Sequence, residues 1–389
     1  MPVSVRHPAS LLAVAFAAAV GAAAQQSPYF PPRGGWATRL PAAVGMDSSG
    51  LARAVAYAVA HETPFLRDLH EQIRRNVASE PYPEVQGPIR DRGGPAGVVV
   101  RQGYIVAQWG DVERVDMTFS VAKSYLGALA GLALDRGLLR DPDEPVGATV
   151  TDGGYTSAGN AMITWRHTFT QTSEWEGTLW DKPDVADRRR GRDRTLQAPG
   201  SFYEYNDVRV NRAALNLLHL FRRPLPEVLR AEVMGPIGAS DTWEWHGYRN
   251  SWVTIDGRDI QSVSGGGHWG GGIWASTLDH ARFGLLFLRR GRWDARQLLS
   301  ERAVDLLTTG TAVQPTYGWM WWLNPEGRLY PSAPASAFFA RGAGGNIIWV
   351  DPAHDVVAVV RWMDTASVDE FIRLVVRAVV TSDADGPRR

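Results

Sequence analysis

The sequence predicts a mixed α/β (α+β) fold: an antiparallel sheet flanked by helices from the two ends of the chain, with a mainly helical segment inserted between. Three stretches predict it. Near the start, "DSSGLARAVAYAVAHETPFLRDLHEQIRRN" has a helical apolar period and leads to "GPAGVVVRQGYIVAQWG", two short apolar runs about Gln102-Gly103. The middle carries "NRAALNLLHLF" and "RRPLPEVLRAEVMGPIG", both helical in pattern. The far end carries "AFFARGAGGNIIWVDPAHDVVAVVRWM", which reads as two or three strands with a turn at Asp351-Pro352, and then the closing helix "SVDEFIRLVVRAVVTS". Helix and hairpin first, helices next, strands and helix last, point to one sheet built from both ends.

Each element has a local reason. In "MPVSVRHPASLLAVAFAAAVGAAAQQ", Arg6 and His7 precede an apolar run from Leu11 to Val20 and then Ala22, Ala23 and Ala24. That order is a secretory signal peptide over residues 1–24, cleaved after Ala24, and the run is short for the alternative, a membrane anchor. The mature chain is expected in the periplasm or outside the cell, with no stable membrane span. Residues 25–115 form the first part of the α/β domain. From Asp47, with Ser48 and Ser49 as further caps, Leu51, Val55, Val59 and Leu66 give one long helix. The runs about Gln102-Gly103 give a tight hairpin. Residues 116–255 form the mainly helical domain, whose first helix starts near Ser120 and carries Leu126, Leu129, Leu132 and Leu139 on one face. Residues 256–389 complete the α/β domain.

Composition narrows the function. Formal net charge is zero and the isoelectric point about 7.2, so nothing favours nucleic acid or an anionic membrane as partner. The absence of cysteine excludes disulfides, thiolate ligands and a thiol nucleophile. With 389 residues and 44% hydrophobic content the chain can bury a large core. The run "DRRRGRDR", residues 187–194, reads as a solvated loop of alternating charge.

Lysine is almost absent: of 41 Lys plus Arg, only Lys123 and Lys182 are lysines. Lys182, in "LWDKPD", reads as exposed. Lys123 follows Ser120 by three residues on a predicted helix, so the two side chains share a face. A serine hydroxyl needs a base to become a nucleophile, and a lysine amine can serve when burial or nearby positive potential lowers its pKa. Arginine cannot serve, because it stays protonated. A helix N-terminus at Ser120 would add backbone N–H groups for a developing oxyanion. A proton relay to the leaving group is also needed. Tyr203, Tyr205, Asn206 and Asp207 in "APGSFYEYNDVRVNRAALNLL" are the nearby candidates, although a tyrosine can equally be packing at a helix entrance. "GGGHWGGGIWAST" and "ARGAGGN" could let a substrate carbonyl approach backbone, or could be turns.

Taken together these stretches resemble the serine β-lactamase and penicillin-binding protein superfamily, on the branch of class C β-lactamases, D-Ala-D-Ala peptidases, esterases and 6-aminohexanoate-dimer hydrolases. "FSVAKS" is similar to the family's S-x-x-K, and "ITWRHTFTQTSEWEG" to T-I-R-x-L-L-x-H-T-S-G. "PGSFYEYNDVRVNRAALNLL" resembles P-G-x-x-F-x-Y-S-N and its helix, and "GGGIWASTLDHARFG" the stretch G-G-L-x-S-T-x-x-D-x-A-R-F. "FFARGAGGNIIWVDP" stands where the family has its K-T-G or H-T-G strand. The resemblance implies the β-lactamase/transpeptidase fold, with Ser120 as acylated nucleophile, Lys123 as its activator and Tyr205 as general base and relay. It implies an oxyanion hole from the N–H groups of Ser120 and Ala343. No metal or organic cofactor is implied.

Two departures bear on substrate. The Y-x-N asparagine position holds Asp207, with Asn206 one residue earlier, and the K-T-G position reads Ala340-Arg341-Gly342. Asn206, Asp207, Arg341, Gly342, His268 and Trp269 are the candidate substrate contacts. Among 16 tryptophans, Trp165, Trp175, Trp180, Trp269 and Trp274 lie near motif segments and could line an acyl pocket, or pack the core. The expected activity is hydrolysis of a small ester or amide. The alternatives are a D-Ala-D-Ala carboxypeptidase or weak β-lactamase and, from another class, a non-catalytic binding protein.

Overall fold

The computed structural model describes residues 28–380, so the expected signal peptide lies outside it. Among these residues no helix is long and apolar enough to cross a membrane. The main strands, in chain order, are β1 Ala96–Arg101, β2 Tyr104–Trp109, β3 Asp116–Met117, β4 Glu244–Ile255 and β5 Arg258–Val263. They continue with β6 Gly272–Ala275, β7 Trp322–Leu323, β8 Phe338–Gly342, β9 Asn346–Asp351 and β10 Val356–Arg361. The main helices are α1 Ser48–Ala60, α2 Leu69–Val77, α3 Ala122–Asp135, α4 Asp207–Phe221, α5 Thr277–Leu288 and α6 Val368–Ala378.

Six strands form one sheet in the order β7-β8-β9-β10-β1-β2, antiparallel at every pair. The predicted hairpin turns at Gln102 and Gly103, both with positive φ, as a two-residue turn matched to strand twist requires. Side chains sort by alternation onto two cores. Val98, Val100, Ile348, Val350, Val357 and Val359 face one side, and Val99, Ile347, Trp349, Val356, Ala358 and Val360 the other. The second set meets Leu51 and Ala54 of α1 and Phe371, Ile372 and Val375 of α6, whereas α5 packs on the first. Both faces are dry, which is why these strands read as unbroken apolar runs. Each buried aliphatic contributes about 1.5–3 kcal/mol.

Two expectations change here. The opening helix is two helices, because Pro64 lacks an N–H and disfavours helical Thr63, which instead donates its N–H to Trp362 O. Asp68 then caps the second helix through Glu71 N. The segment read as mainly helical also contains β4, twelve residues long, and the boundary expected between 255 and 256 falls where β4 turns into β5. β4 belongs to a second sheet, β3-β6-β4-β5.

A buried guanidinium joins the two sheets. Arg361, at the end of β10, donates to Asn346 Oδ1 on β9 (2.6 Å), Ala275 O on β6 (2.9 Å) and Met117 O on β3 (3.1 Å). Replacing it strands three buried acceptors. Arg361→Met is expected to destabilise the fold by about 3 kcal/mol in urea unfolding; a change under about 0.5 kcal/mol would show that the junction does not depend on it.

Candidate active site

The turn that presents Ser120 is anchored from both sheets. Thr118 N and Oγ1 both donate to Ile273 O on β6, at 3.0 and 2.8 Å. Phe119 then adopts φ 49°, a left-handed conformation costly for a residue with a β-carbon. Its ring, edge-on to Phe65 and Trp362, fixes it there. From the other sheet, the end of β8 lies so close that a β-carbon on Gly342 would stand 2.2 Å from Thr118 O and 3.2 Å from Ser120 N. Ala343 follows directly and lines the same cleft as Ser120.

Ser120 opens α3 from a short 3-10 turn, as the sequence predicts. Residues Ala122 to Leu134 are all buried, and Lys123 is the one charged side chain among them. Its Nζ donates to Ser120 Oγ at 2.8 Å and to Asp207 Oδ1 at 2.6 Å. The serine and lysine meet as expected, but the carboxylate reverses the expected charge state. Burial alone would push the ammonium down; the Asp207 charge outweighs it and holds Lys123 above the ordinary lysine range. Burial likewise opposes the Asp207 charge, yet Lys123, His268 and Arg189 outweigh that and hold its carboxyl below the usual carboxylate range.

Asp207 is thus the ionic partner of Lys123 as well as part of the cleft lining in which the sequence expected a substrate contact. Asn206, expected beside it, does not line the cleft. It is fully buried and caps α4, accepting from Arg209 N (3.1 Å) while its amide donates to Asp184 O (2.8 Å). Its backbone N–H donates to Gln171 Oε1 (2.9 Å), which orients the preceding Tyr205. The Tyr205 ring stacks on Trp322 and has Lys123 Nζ 4.7 Å and Arg189 Cζ 4.9 Å from its centroid.

The charge run at 187–194 is exposed over residues 189–193, as expected of a solvated loop, but its Arg189 and Arg190 also line the site and Asp187 turns inward. Asp187 is buried, accepts from Asp207 N at 2.6 Å and pairs with Arg189, whose Nη2 also reaches Asp207 Oδ2 at 3.2 Å. Arg194 pairs with Glu174 and Glu204. Burial works to raise Glu174, but Arg194, Gln197 N and Arg209 bring it down to about 2. Lys182 is not exposed either: it is buried, lies over the Trp269 ring and donates to Glu84 O (2.8 Å) and Tyr82 O.

The backbone over the ion pair has no room to spare. A β-carbon on Gly266 would stand 1.9 Å from Asp207 Oδ1 and 2.4 Å from Lys123 Nζ. Glycine alone fits.

The cleft, about 460 Å³, is lined by Ser120, Tyr205, Asp207, His268, Trp322, Arg341, Gly342 and Ala343 among others. Trp269 is fully buried behind it, donating to Glu80 Oε2 at 3.0 Å. Trp165, Trp175, Trp180 and Trp274 lie elsewhere, and the tryptophan of the cleft is Trp322, which no sequence motif marked. Asp187, Asp207 and His268 bring potential metal-ligating atoms within 4.8 Å of one another. Lys123 and Arg189 already hold the Asp207 oxygens, so the cluster is built as an ion-pair network.

A family model described as Beta-lactamase matches residues 89–378. The chain belongs to the Beta-lactamase family. No curated protein matches it. Solved structures of the β-lactamase/transpeptidase fold are similar to it across most of its length. A penicillin-binding protein homologue from Caulobacter crescentus is 17% identical, with 80% of this chain and 97% of that one covered and a TM-score of 0.54. EstCE1, a hydrolase with promiscuous acyltransferase activity, is 15% identical, with 86% and 99% covered and a TM-score of 0.56. A D-stereospecific amidohydrolase from Streptomyces sp. is 14% identical, with 87% and 100% covered and a TM-score of 0.54. At such identities the likeness is one of fold.

The ion pair carries a stability signature. Asp207 is depressed, so its contribution is complete above about pH 4 and lost as pH falls through its folded pKa; Lys123 is raised, so its contribution lasts until pH climbs beyond about 10. Asp207→Ala leaves a buried ammonium unpaired and is expected to cost about 3–5 kcal/mol in urea unfolding between about pH 5 and 9, and less at lower pH. A cost below about 1 kcal/mol at neutral pH would contradict the paired, charged state.

Proposed function

We propose that this Beta-lactamase family member is an exported serine hydrolase that transfers the acyl group of small esters or amides to water through an acyl-enzyme on Ser120. The observation that carries the reading is the contact of Ser120 Oγ with Lys123 Nζ at 2.8 Å, backed by Asp207 at 2.6 Å, on the wall of an open cleft.

Since Lys123 rests as an ammonium, it takes the serine proton only by giving one up. Nζ passes a proton to Asp207 Oδ1 as it accepts another from Ser120 Oγ, and Oγ bonds to the substrate carbonyl carbon. The carbonyl oxygen becomes an oxyanion on the N–H groups of Ser120 and Ala343. Tyr205 gives its phenolic proton to the leaving alcohol or amine as the carbon–heteroatom bond breaks, and is reprotonated through Lys123 from Asp207. Water then repeats the sequence in reverse and frees Ser120. Arginine at 123 cannot exchange protons in this way.

Small neutral substrates are favoured because the K-T-G lysine and hydroxyl are missing and the cleft offers Phe119, Tyr205 and Trp322 as apolar walls. One observation favours the second reading, a D-Ala-D-Ala carboxypeptidase or weak β-lactamase: Arg341 lies in the cleft over Trp322 and Tyr330, each 5.2 Å from the ring centroid, where it could meet a carboxylate.

A fluorophosphonate probe is expected to add one covalent adduct by intact mass, lost in Ser120→Ala and in Lys123→Arg with the fold retained. An active Lys123→Arg enzyme would remove Lys123 from the proton path, and no adduct on the unaltered protein would favour a non-catalytic binding protein. p-Nitrophenyl esters or 6-aminohexanoate oligomers are expected to turn over faster than nitrocefin; rapid nitrocefin hydrolysis with inert esters would reverse the substrate order.

A further inference from the structure

A strap of chain after α2, residues 80–87, crosses the outside of the glycine-rich loop that covers the ion pair. Gln86 N and Gly87 N both donate to Trp269 O, at 2.9 and 3.0 Å. Glu80 grips two successive side chains of that loop: Oε1 pairs with His268 Nε2 at 2.6 Å and Oε2 accepts from Trp269 Nε1 at 3.0 Å. The other ring nitrogen of His268, Nδ1, stands 3.8 Å from Asp207 Oδ2. Glu80, His268, Asp207, Lys123 and Ser120 therefore stand in line from the strap to the cleft, hydrogen-bonded at each step except the 3.8 Å ionic approach of His268 to Asp207. Nothing in the acyl-transfer steps above uses its first two members.

We propose that Glu80 and His268 are positioning residues for acyl transfer, holding an imidazolium against the outer oxygen of Asp207 so that the inner oxygen stays on Lys123 and its basicity is set. The inference rests on the proposed function. Asp207 Oδ1 can take a proton only from Lys123, its 2.6 Å neighbour, while Oδ2 is shared between Arg189 and His268. A carboxylate held at both ends cannot swing away from the lysine. The charged groups that act on His268 are Glu80 on the strap, Asp187 on the 187–194 segment and Asp207 on α4, the last two paired in turn with Arg189 and, for Asp207, Lys123. Burial disfavours the imidazolium, but Glu80, Asp187 and Asp207 outweigh it and raise His268.

While His268 is charged, its two ring N–H groups face Glu80 and Asp207 together and the Asp207 carboxylate is held; as pH rises through the His268 pKa one N–H is lost and the hold with it. The rate of Ser120 acylation thus has an alkaline limb that belongs to His268.

The test measures the second-order rate of fluorophosphonate labelling of Ser120 against pH, in the full chain and in Glu80→Gln and His268→Gln, beside the NMR titration of His268 in the unaltered protein. The limb and the His268 resonance are expected to share one midpoint. Glu80→Gln is expected to move the limb to lower pH by about 1 unit or more, and His268→Gln to abolish it, each with a plateau rate lowered about 10- to 100-fold. If the unaltered protein takes no label, the proposed function fails and this inference with it. If it labels normally but the variants keep its limb, or the NMR midpoint differs from the limb, the inference alone fails.

Discussion

The buried pair between Lys123 and Asp207 is the constraint around which the rest of the site is arranged. Two full charges are held 2.6 Å apart at a depth where either alone would be expelled or neutralised. Every neighbour answers to that pair. Arg189 and His268 meet the second oxygen of Asp207, Asn206 ends the backbone of α4 so that Asp207 opens the helix, and Gly266 lets the loop close over both groups without a side chain. The proposed proton exchange accounts for a lysine, and not another arginine, at position 123.

The large sheet supplies the rigidity this requires. Its two dry faces fix β8, whose last glycine presses on the turn that carries Ser120, and the second sheet grips the same turn through Thr118. Phe119 is left in a strained conformation because both grips are satisfied together. Ser120 is thus positioned by backbone contacts with two sheets, independently of the charge network at Lys123.

Much of this was legible from the amino acids, and the limits have physical causes. β8 to β10 showed because strands dry on both faces are written as apolar runs between turn residues, and Ser120 with Lys123 showed because spacing on one helix is local. The partner of Lys123 did not show. Asp207 lies 84 residues away, and its sequence context marked only a missing amide. The 187–194 run is exposed over most of its length, as its alternating charges indicate, but nothing local showed that its first residue, Asp187, is turned inward to meet Arg189. Lys182 misled for a related reason: a loop lysine buries when backbone carbonyls, which carry no sequence signature, are there to receive it. Glu80 and Trp322 had no local signal, since each acts only through residues brought close by the fold.

The guanidinium that joins the sheets also sets an order of events. Arg361 binds acceptors at positions 117, 275 and 346, so the turn bearing Ser120 cannot take its final shape until the chain has been made as far as Arg361. Contacts of such sequence separation form late. A nascent or truncated chain that already contains Ser120 and Lys123 but not Arg361 therefore lacks a contact that shapes the turn between them and β3.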